Sequence, residues 1–219
     1  MHTREEIFCK FRTPRYDRLN QCRWDHFLSM GIPLEGKTVL ELGAGVGDQT
    51  EWLLKQGIKH IHVNEGRQGN IDVIRERFGH DPRVTIAIGN IEQGLPDLDI
   101  FVDVIYFYGV YYHLDERVPH FPILQALARL GQTIAFDFHA GDNRTDLYRP
   151  MDDPSSSISL CGLRVRVETL IQGMKETWGL AYLPKKQLEW NDPGNPNEVR
   201  LVAVASHAAL DSPGLVLQP

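Results

Sequence analysis

Residues 38–51, TVLELGAGVGDQTE, decide how the rest of the chain reads. Thr38, Val39 and Leu40 open the stretch as a short apolar run with β-branched members. Gly43, Gly45 and Gly47 follow at alternate positions, and Glu51-Trp52-Leu53-Leu54 then takes up a helical pattern. The order is buried strand, tight turn, helix start. Backbone without Cβ atoms can bend sharply and let a ligand lie against it. The N–H groups that open the following helix favour a negative ligand group. Spacing excludes two familiar nucleotide turns. The dinucleotide fingerprint Gly-x-Gly-x-x-Gly needs a small residue where this chain has Asp48, counting from Gly43, or Thr50, counting from Gly45. No Gly-Lys-Ser or Gly-Lys-Thr follows, so this is not a P-loop either.

The segment Glu41-Leu42-Gly43-Ala44-Gly45-Val46-Gly47 resembles the E-x-G-x-G-x-G signature of class I S-adenosylmethionine-dependent methyltransferases. The resemblance implies an α/β fold: a Rossmann-like sheet of seven strands in the order 3-2-1-4-5-7-6, strand 7 antiparallel, with helices on both faces. It implies S-adenosyl-L-methionine as cofactor and S-adenosyl-L-homocysteine as product. Gly43, Ala44, Gly45 and Gly47 would lie against the methionine part, with Glu41 positioning it through its ammonium group.

The chain beyond this loop has matching features in matching order. Residues 59–64 alternate polar and apolar as a second strand ending at Glu65 and Gly66. An acid at that strand end accepts hydrogen bonds from ribose hydroxyls in nucleoside-binding α/β folds. Residues 84–88 read as a third strand, and the resemblance places Asn90 at the adenine amino group with Ile91 packed on the ring. Residues 100–107 form a near-continuous apolar run, as a strand buried on both faces should. Asp103 within it is expected to be structural, held by backbone donors. The loop Tyr108-Gly109-Val110-Tyr111-Tyr112-His113-Leu114 then opens at the carboxyl end of a central strand, where open parallel sheets bind ligands. Tyr108, Tyr111 and Tyr112 are candidates for the cofactor and substrate walls, joined by Tyr16 from the N-terminal helix. His113 and His139 are rival candidates for a general base, because imidazole titrates near neutrality. No metal is expected, since Tyr108-Gly109 stands where a metal-dependent relative would supply a carboxylate.

Three segments frame this domain. Residues 1–35 read as an N-terminal helical cap, with 14–30 a helix that either forms a lid or simply covers the sheet. Residues 36–206 read as the methyltransferase domain. Within it 139–167 is a substrate-lid insertion, in which 163–167 could instead add a strand, and Arg149, Arg164 and Arg166 could meet an anion. Residues 207–219 read as a flexible tail.

Composition narrows the partners. The 219-residue chain carries a net charge of −6, which argues against general nucleic-acid binding. Arg4, Lys10, Arg12, Arg15, Arg18 and Arg23 crowd the N-terminus, either a solvated helix face or a local basic face. The loop after the fourth strand lacks the Asn-Pro-Pro-Tyr type of motif found in amino-nitrogen nucleic-acid methyltransferases. The expectation is therefore transfer of a methyl group to an O or N atom of a small-molecule metabolite, with no nucleic acid and no membrane partner. A homodimer is compatible with the chain. Three widely spaced cysteines and the absence of a signal-like N-terminus suggest a cytoplasmic protein. Two rival readings remain: a non-catalytic cofactor-binding regulatory subunit, and a nicotinamide-dependent oxidoreductase on a related fold.

Overall fold

The computed structural model describes residues 3–91, 99–114, 121–147, 161–189 and 199–219. Apolar runs become strands at β1 (Thr38–Leu42), β2 (His60–Glu65), β3 (Val84–Ile88), β4 (Val102–Phe107) and β5 (Gly131–Ala140). The chain continues through β6 (Arg144–Leu147), β7 (Cys161–Val165), β8 (Leu180–Pro184), β9 (Arg200–Ser206) and β10 (Leu215–Leu217). The sheet order is β10-β8-β9-β5-β4-β1-β2-β3. The pairs among β1 to β5 are parallel, whereas β9 runs antiparallel to both β5 and β8. This is the expected Rossmann-like order with its reversed strand, extended by three strands beyond seven.

Two of those strands lie within the insertion expected over 139–167, and β7 overlaps the added strand that was the alternative reading of 163–167. β6 and β7 pair antiparallel, and β7 joins β5 in parallel through His139↔Arg164. Arg149 lies outside the described residues, and neither Arg164 nor Arg166 lines the cavity described below. The third added strand corrects the reading of 207–219 as a loose tail. Leu215 is buried, β10 pairs antiparallel with β8, and the Gly214 N–H donates to the Met30 carbonyl at 3.2 Å. Pro213-Gly214 looks like loose chain in sequence, yet here it is the turn that sets an edge strand.

Helices cover both faces. α2 (Pro14–Met30), α3 (Asp48–Lys55) and α4 (Gln68–Phe78) pack Phe27, Met30, Trp52, Leu53 and Ile74 against Val39, Ile61, Val63, Val104 and Tyr106. On the other face α5 (Pro122–Leu127) and α6 (Val167–Trp178) pack Leu124, Leu127, Leu170, Met174 and Trp178 against Leu40, Ile105, Phe107, Ile134 and Phe136. Val104 and Tyr106 thus face one layer while Ile105 and Phe107 face the other, the period-2 alternation of a strand buried twice. α2 starts with Thr13 accepting the Tyr16 N–H and with Pro14 in its first turn, and it stops at Gly31 in a left-handed conformation. A short helix, α1 (Arg4–Phe11), precedes it and buries Ile7 against Val46 and Val73. Asp103 is structural as expected: Thr38 donates both its N–H and its hydroxyl to Oδ2 at 2.8 Å, and Lys37 reaches Oδ1 at 3.1 Å.

Leu215→Ala should lower stability by roughly 2 kcal/mol, the low end for emptying a buried leucine site. Urea unfolding measures this, and an unchanged midpoint would return residues 207–219 to the status of loose chain.

Candidate active site

The loop after β1 is held from beneath by β2. The Gly43 and Ala44 N–H groups donate to the Asn64 carbonyl at 2.9 and 3.2 Å. The Gly45 N–H donates to Glu65 Oε2 at 2.7 Å, and the Arg67 N–H donates to Oε1 at 2.9 Å. Gly43 and Gly45 have φ of 68° and 59°, where a Cβ is strained. A Cβ on Gly45 would also stand 2.8 Å from the Phe11 ring. From α4, Arg77 binds the Val46 carbonyl and reaches Asp48 at 2.9 Å and Glu51 at 2.7 Å, locking the loop to α3.

A cavity opens above this loop. Its lining includes Gly43, Ala44, Gly45, Val46, Asn64, Glu65, Gly66, Asn90, Ile91 and Tyr108. It also includes Phe11, Tyr16, Leu19, Asn20 and Arg23 from the N-terminal helices and Val110, Tyr112 and His113 from the loop after β4. α2 is fixed there by one amide. Gln49 donates to Asn20 at 2.7 Å and accepts from Tyr106 at 2.8 Å and from the Trp24 indole at 2.5 Å. Most of the predicted cofactor and substrate residues are therefore brought together, and α2 is a wall of the site.

Four predicted residues lie off the wall. Glu41 is buried beneath the loop, where its Oε2 accepts the Thr50 hydroxyl at 2.5 Å. Burial pushes its pKa up to about 8, outweighing the Thr50 hydrogen bond, with nearby Glu65 adding to the rise. Gly47 caps α3. Tyr111 turns into the core against Phe107 and Phe136, its ring centroid 4.8 Å from that of Phe136. It shares a 3₁₀ turn, Tyr111–His113, with Tyr112, and adjacent residues in such a turn point in different directions. His139 sits behind Tyr112, stacked on it at 4.1 Å, with the Arg200 guanidinium 3.3 Å from its Nε2. Of the two histidines only His113 lines the cavity. Burial, aided by His139 and Arg200, holds it down to about 4, so its ring is neutral at pH 7.

Sequence reasoning missed a buried cluster at this end. Asp137 on β5 is fully buried and accepts the Gly109 N–H at 2.6 Å. Arg23 and Arg200 approach its other oxygen at 3.6 and 3.7 Å. Arg23 does not belong to a solvated helix face. It is 6% exposed. The helical spacing of Tyr16, Leu19, Asn20 and Arg23 on one face of 14–30 was the available signal.

The residues present fit S-adenosylmethionine. The Asn64 side chain lines the cavity with its amide oxygen and nitrogen buried and no hydrogen-bond partner among the described residues. Beside it Glu65 lines the cavity with a carboxylate held by the Gly45, Gly66 and Arg67 N–H groups and by the Asn70 side chain. A ligand that brings hydroxyls or amines to Asn64 would satisfy its amide. No group of three or more potential metal ligands occurs among the described residues.

A methyltransferase-domain family model matches residues 40–135. The chain is 26% identical over 203 residues to the tRNA U34 carboxymethyltransferase of Shewanella halifaxensis, covering 82% of this chain and 59% of that protein. It is 30% identical over 101 residues to the protein of the same name from Proteus mirabilis, covering 45% of this chain and 31% of that one. Among solved structures, the N-terminal domain of EvdMO1, crystallised with S-adenosylhomocysteine and D-fucose, matches with a TM-score of 0.65 at 18% identity. That match covers 89% of this chain and 84% of that one. A S-adenosylmethionine-dependent methyltransferase from Listeria monocytogenes matches with a TM-score of 0.60 at 16% identity, covering 86% and 99%. The curated relatives overturn the expectation of a small-molecule acceptor with no nucleic acid, because their names place their substrate in tRNA. The net charge of −6 is a whole-chain sum, blind to local basic faces such as exposed Arg12, Arg15 and Arg18 flanking Phe11 and Tyr16. No helix among the described residues is long and apolar enough to cross a membrane.

Glu41 gives the site a pH signature. Its folded pKa is raised from 4.5 to about 8. The unfolded chain therefore releases a proton that the folded chain keeps, and the contribution present below about pH 4.5 is lost as pH rises to about 8. Glu41→Gln keeps an acceptor for Thr50 and has no proton to lose. Its stability advantage over the parent should grow between pH 5 and 8, by up to roughly 1.4 kcal/mol per pH unit. Urea titrations at several pH values test this; a constant gap would mean that Glu41 is ionised in the folded protein.

Proposed function

We propose that this chain is a class I S-adenosylmethionine-dependent methyltransferase and that it transfers the cofactor's methyl group to an oxygen or nitrogen atom of a tRNA nucleoside. The observation that carries the transferase reading is the continuity of one cavity. The glycine loop, Asn64 and Glu65 wall one half, and Tyr16, Arg23, Tyr112 and His113 wall the other. The tRNA acceptor rests on the curated relatives named for it, of which this chain spans between 31% and 59% of the length. The exposed arginines of the N-terminal helices supply a local positive face for a phosphate backbone.

The cofactor, when bound, supplies a methyl carbon already made electrophilic by its sulfonium. The protein's work is alignment and exclusion of water. Glu65 and Asn64 would hold the cofactor's hydroxyls and amines, Asn90 would accept from its adenine amine, and Ile91 would pack on its ring. Tyr16 and Tyr112 wall the acceptor half. His113, neutral at pH 7, accepts a hydrogen bond from the acceptor's O–H or N–H and takes the proton as transfer proceeds. Its Nδ1 is buried with no hydrogen-bond partner among the described residues.

Gly45→Val and Glu65→Ala should each weaken S-adenosylhomocysteine binding at least tenfold, or about 1.4 kcal/mol, by calorimetry. Unchanged affinity in both would remove the cofactor assignment. Labelled cofactor should deliver methyl into bulk tRNA. Label found only in a metabolite extract would overturn the acceptor, and binding without any transfer would turn the reading to a regulatory subunit. His113→Ala should slow transfer roughly a hundredfold. Because His113 protonates only near 4, the parent's rate should hold as pH falls through 6.5. An acid limb centred at 6.5 that vanishes in His113→Ala would contradict this environment.

A further inference from the structure

Beside the cavity, among the described residues, two buried guanidiniums approach one carboxylate. Arg23 and Arg200 are both buried there, their side chains 7% and 8% exposed, and both lean on the single carboxylate of Asp137. At 3.6 and 3.7 Å these approaches lie beyond hydrogen-bond length. Asp137 spends its other oxygen on the Gly109 N–H. A buried guanidinium N–H left without a hydrogen-bond partner is costly.

The two arginines are not equivalent. Arg200 lies over the Tyr112 ring, 4.5 Å from its centroid, and meets His139. It braces the wall from behind and is absent from the lining. Arg23 is itself part of the lining, and its Nε is buried with no hydrogen-bond partner among the described residues. A guanidinium offers five donors in a fork that matches two oxygens of a carboxylate or phosphate. The Tyr108–Gly109 turn is shaped around this side chain. A Cβ on Gly109 would stand 2.7 Å from an Arg23 terminal nitrogen.

We infer that Arg23 is the specificity-determining residue of the acceptor half, where it binds an oxyanion, a carboxylate or a phosphate, carried by the molecule that receives the methyl group. This rests on the transferase reading above, because it assigns one half of the same cavity to the acceptor. An acceptor without such a group would leave the Arg23 Nε–H without a partner and would be disfavoured.

The experiment titrates the S-adenosylhomocysteine-loaded protein with inorganic phosphate and, separately, with acetate at constant ionic strength. Saturable binding of at least one anion is expected, weakened about tenfold or more in Arg23→Gln and largely kept in Arg23→Lys, at unchanged S-adenosylhomocysteine affinity. Tighter phosphate identifies a phosphate on the acceptor, and tighter acetate identifies a carboxylate. Absent saturable binding, or equal binding in Arg23→Gln, overturns the subsite while intact S-adenosylhomocysteine binding leaves the transferase reading standing. Failure of the parent protein to bind S-adenosylhomocysteine overturns both. If Arg23→Gln does not fold, the Nε–H resonance of Arg23 in the parent decides. It must shift on anion addition, and an unmoved resonance overturns the subsite.

Discussion

One carboxylate ties the sheet to the site. Glu65 ends β2 and takes the Gly45 N–H on one oxygen and the Arg67 N–H on the other. The glycine loop can approach it only because the loop carries no side chains at Gly43 and Gly45. Any Cβ there would be strained by positive φ and would meet Val110 or Phe11. The constraint runs outward from that point. Parallel register between β1 and β2 sets Leu42 against Asn64, so the turn after one strand falls beside the acid that ends the other. α3 then starts under the loop, α4 reaches back through Arg77, and α1 closes over Val46 through Ile7. The burial that positions Glu65 also raises its pKa, in spite of the backbone donors that oppose the rise. A carboxyl placed so closely favours a ligand that brings hydrogen-bond donors to it.

The two halves of the cavity obey opposite electrostatic rules. Around the glycine loop the buried groups are acids whose pKa values are raised by burial. Around Asp137 they are two guanidiniums and a histidine held neutral. On the proposed reading a cationic sulfonium donor would suit the first half, and an acceptor bearing negative charge would suit the second. The amide of Gln49 keeps these halves in register, since it bonds Asn20 and Trp24 of α2 together with Tyr106 of β4.

Wherever a local rule governs, the fold could be read from sequence. Period-2 and near-continuous apolar runs gave the central strands, and the expected order holds from β3 through β8. Glu65, Asn90 and Ile91 were legible as cavity-lining positions because each falls at or just after a strand end. β10 was not, because three residues after a Pro-Gly pair carry too little pattern to distinguish an edge strand from loose chain. Tyr111 and Tyr112 were inseparable for a similar reason. Within a 3₁₀ turn one position decides between core and cavity, and nothing in the tyrosine itself says which. The whole-chain charge misled about nucleic acid, because a sum over 219 residues averages away any single face.

Arg23 is the sharpest case of information that the linear pattern cannot hold. In sequence it is one of six basic residues in the first two dozen, and an exposed stripe is the simplest account of them. What separates it from Arg15 and Arg18 is a carboxylate on β5, which the register of β4 with β5 brings beside the Gly109 turn. Burial of a charge is a tertiary fact, created only once its partner is in place. The same holds for His113 and His139, equal candidates by type, which the packing separates into a cavity wall and a brace behind Tyr112. Residue type thus names the chemistry available to this chain, while the stacking of Tyr112 between β5 and the cavity decides which of two identical groups can touch a substrate.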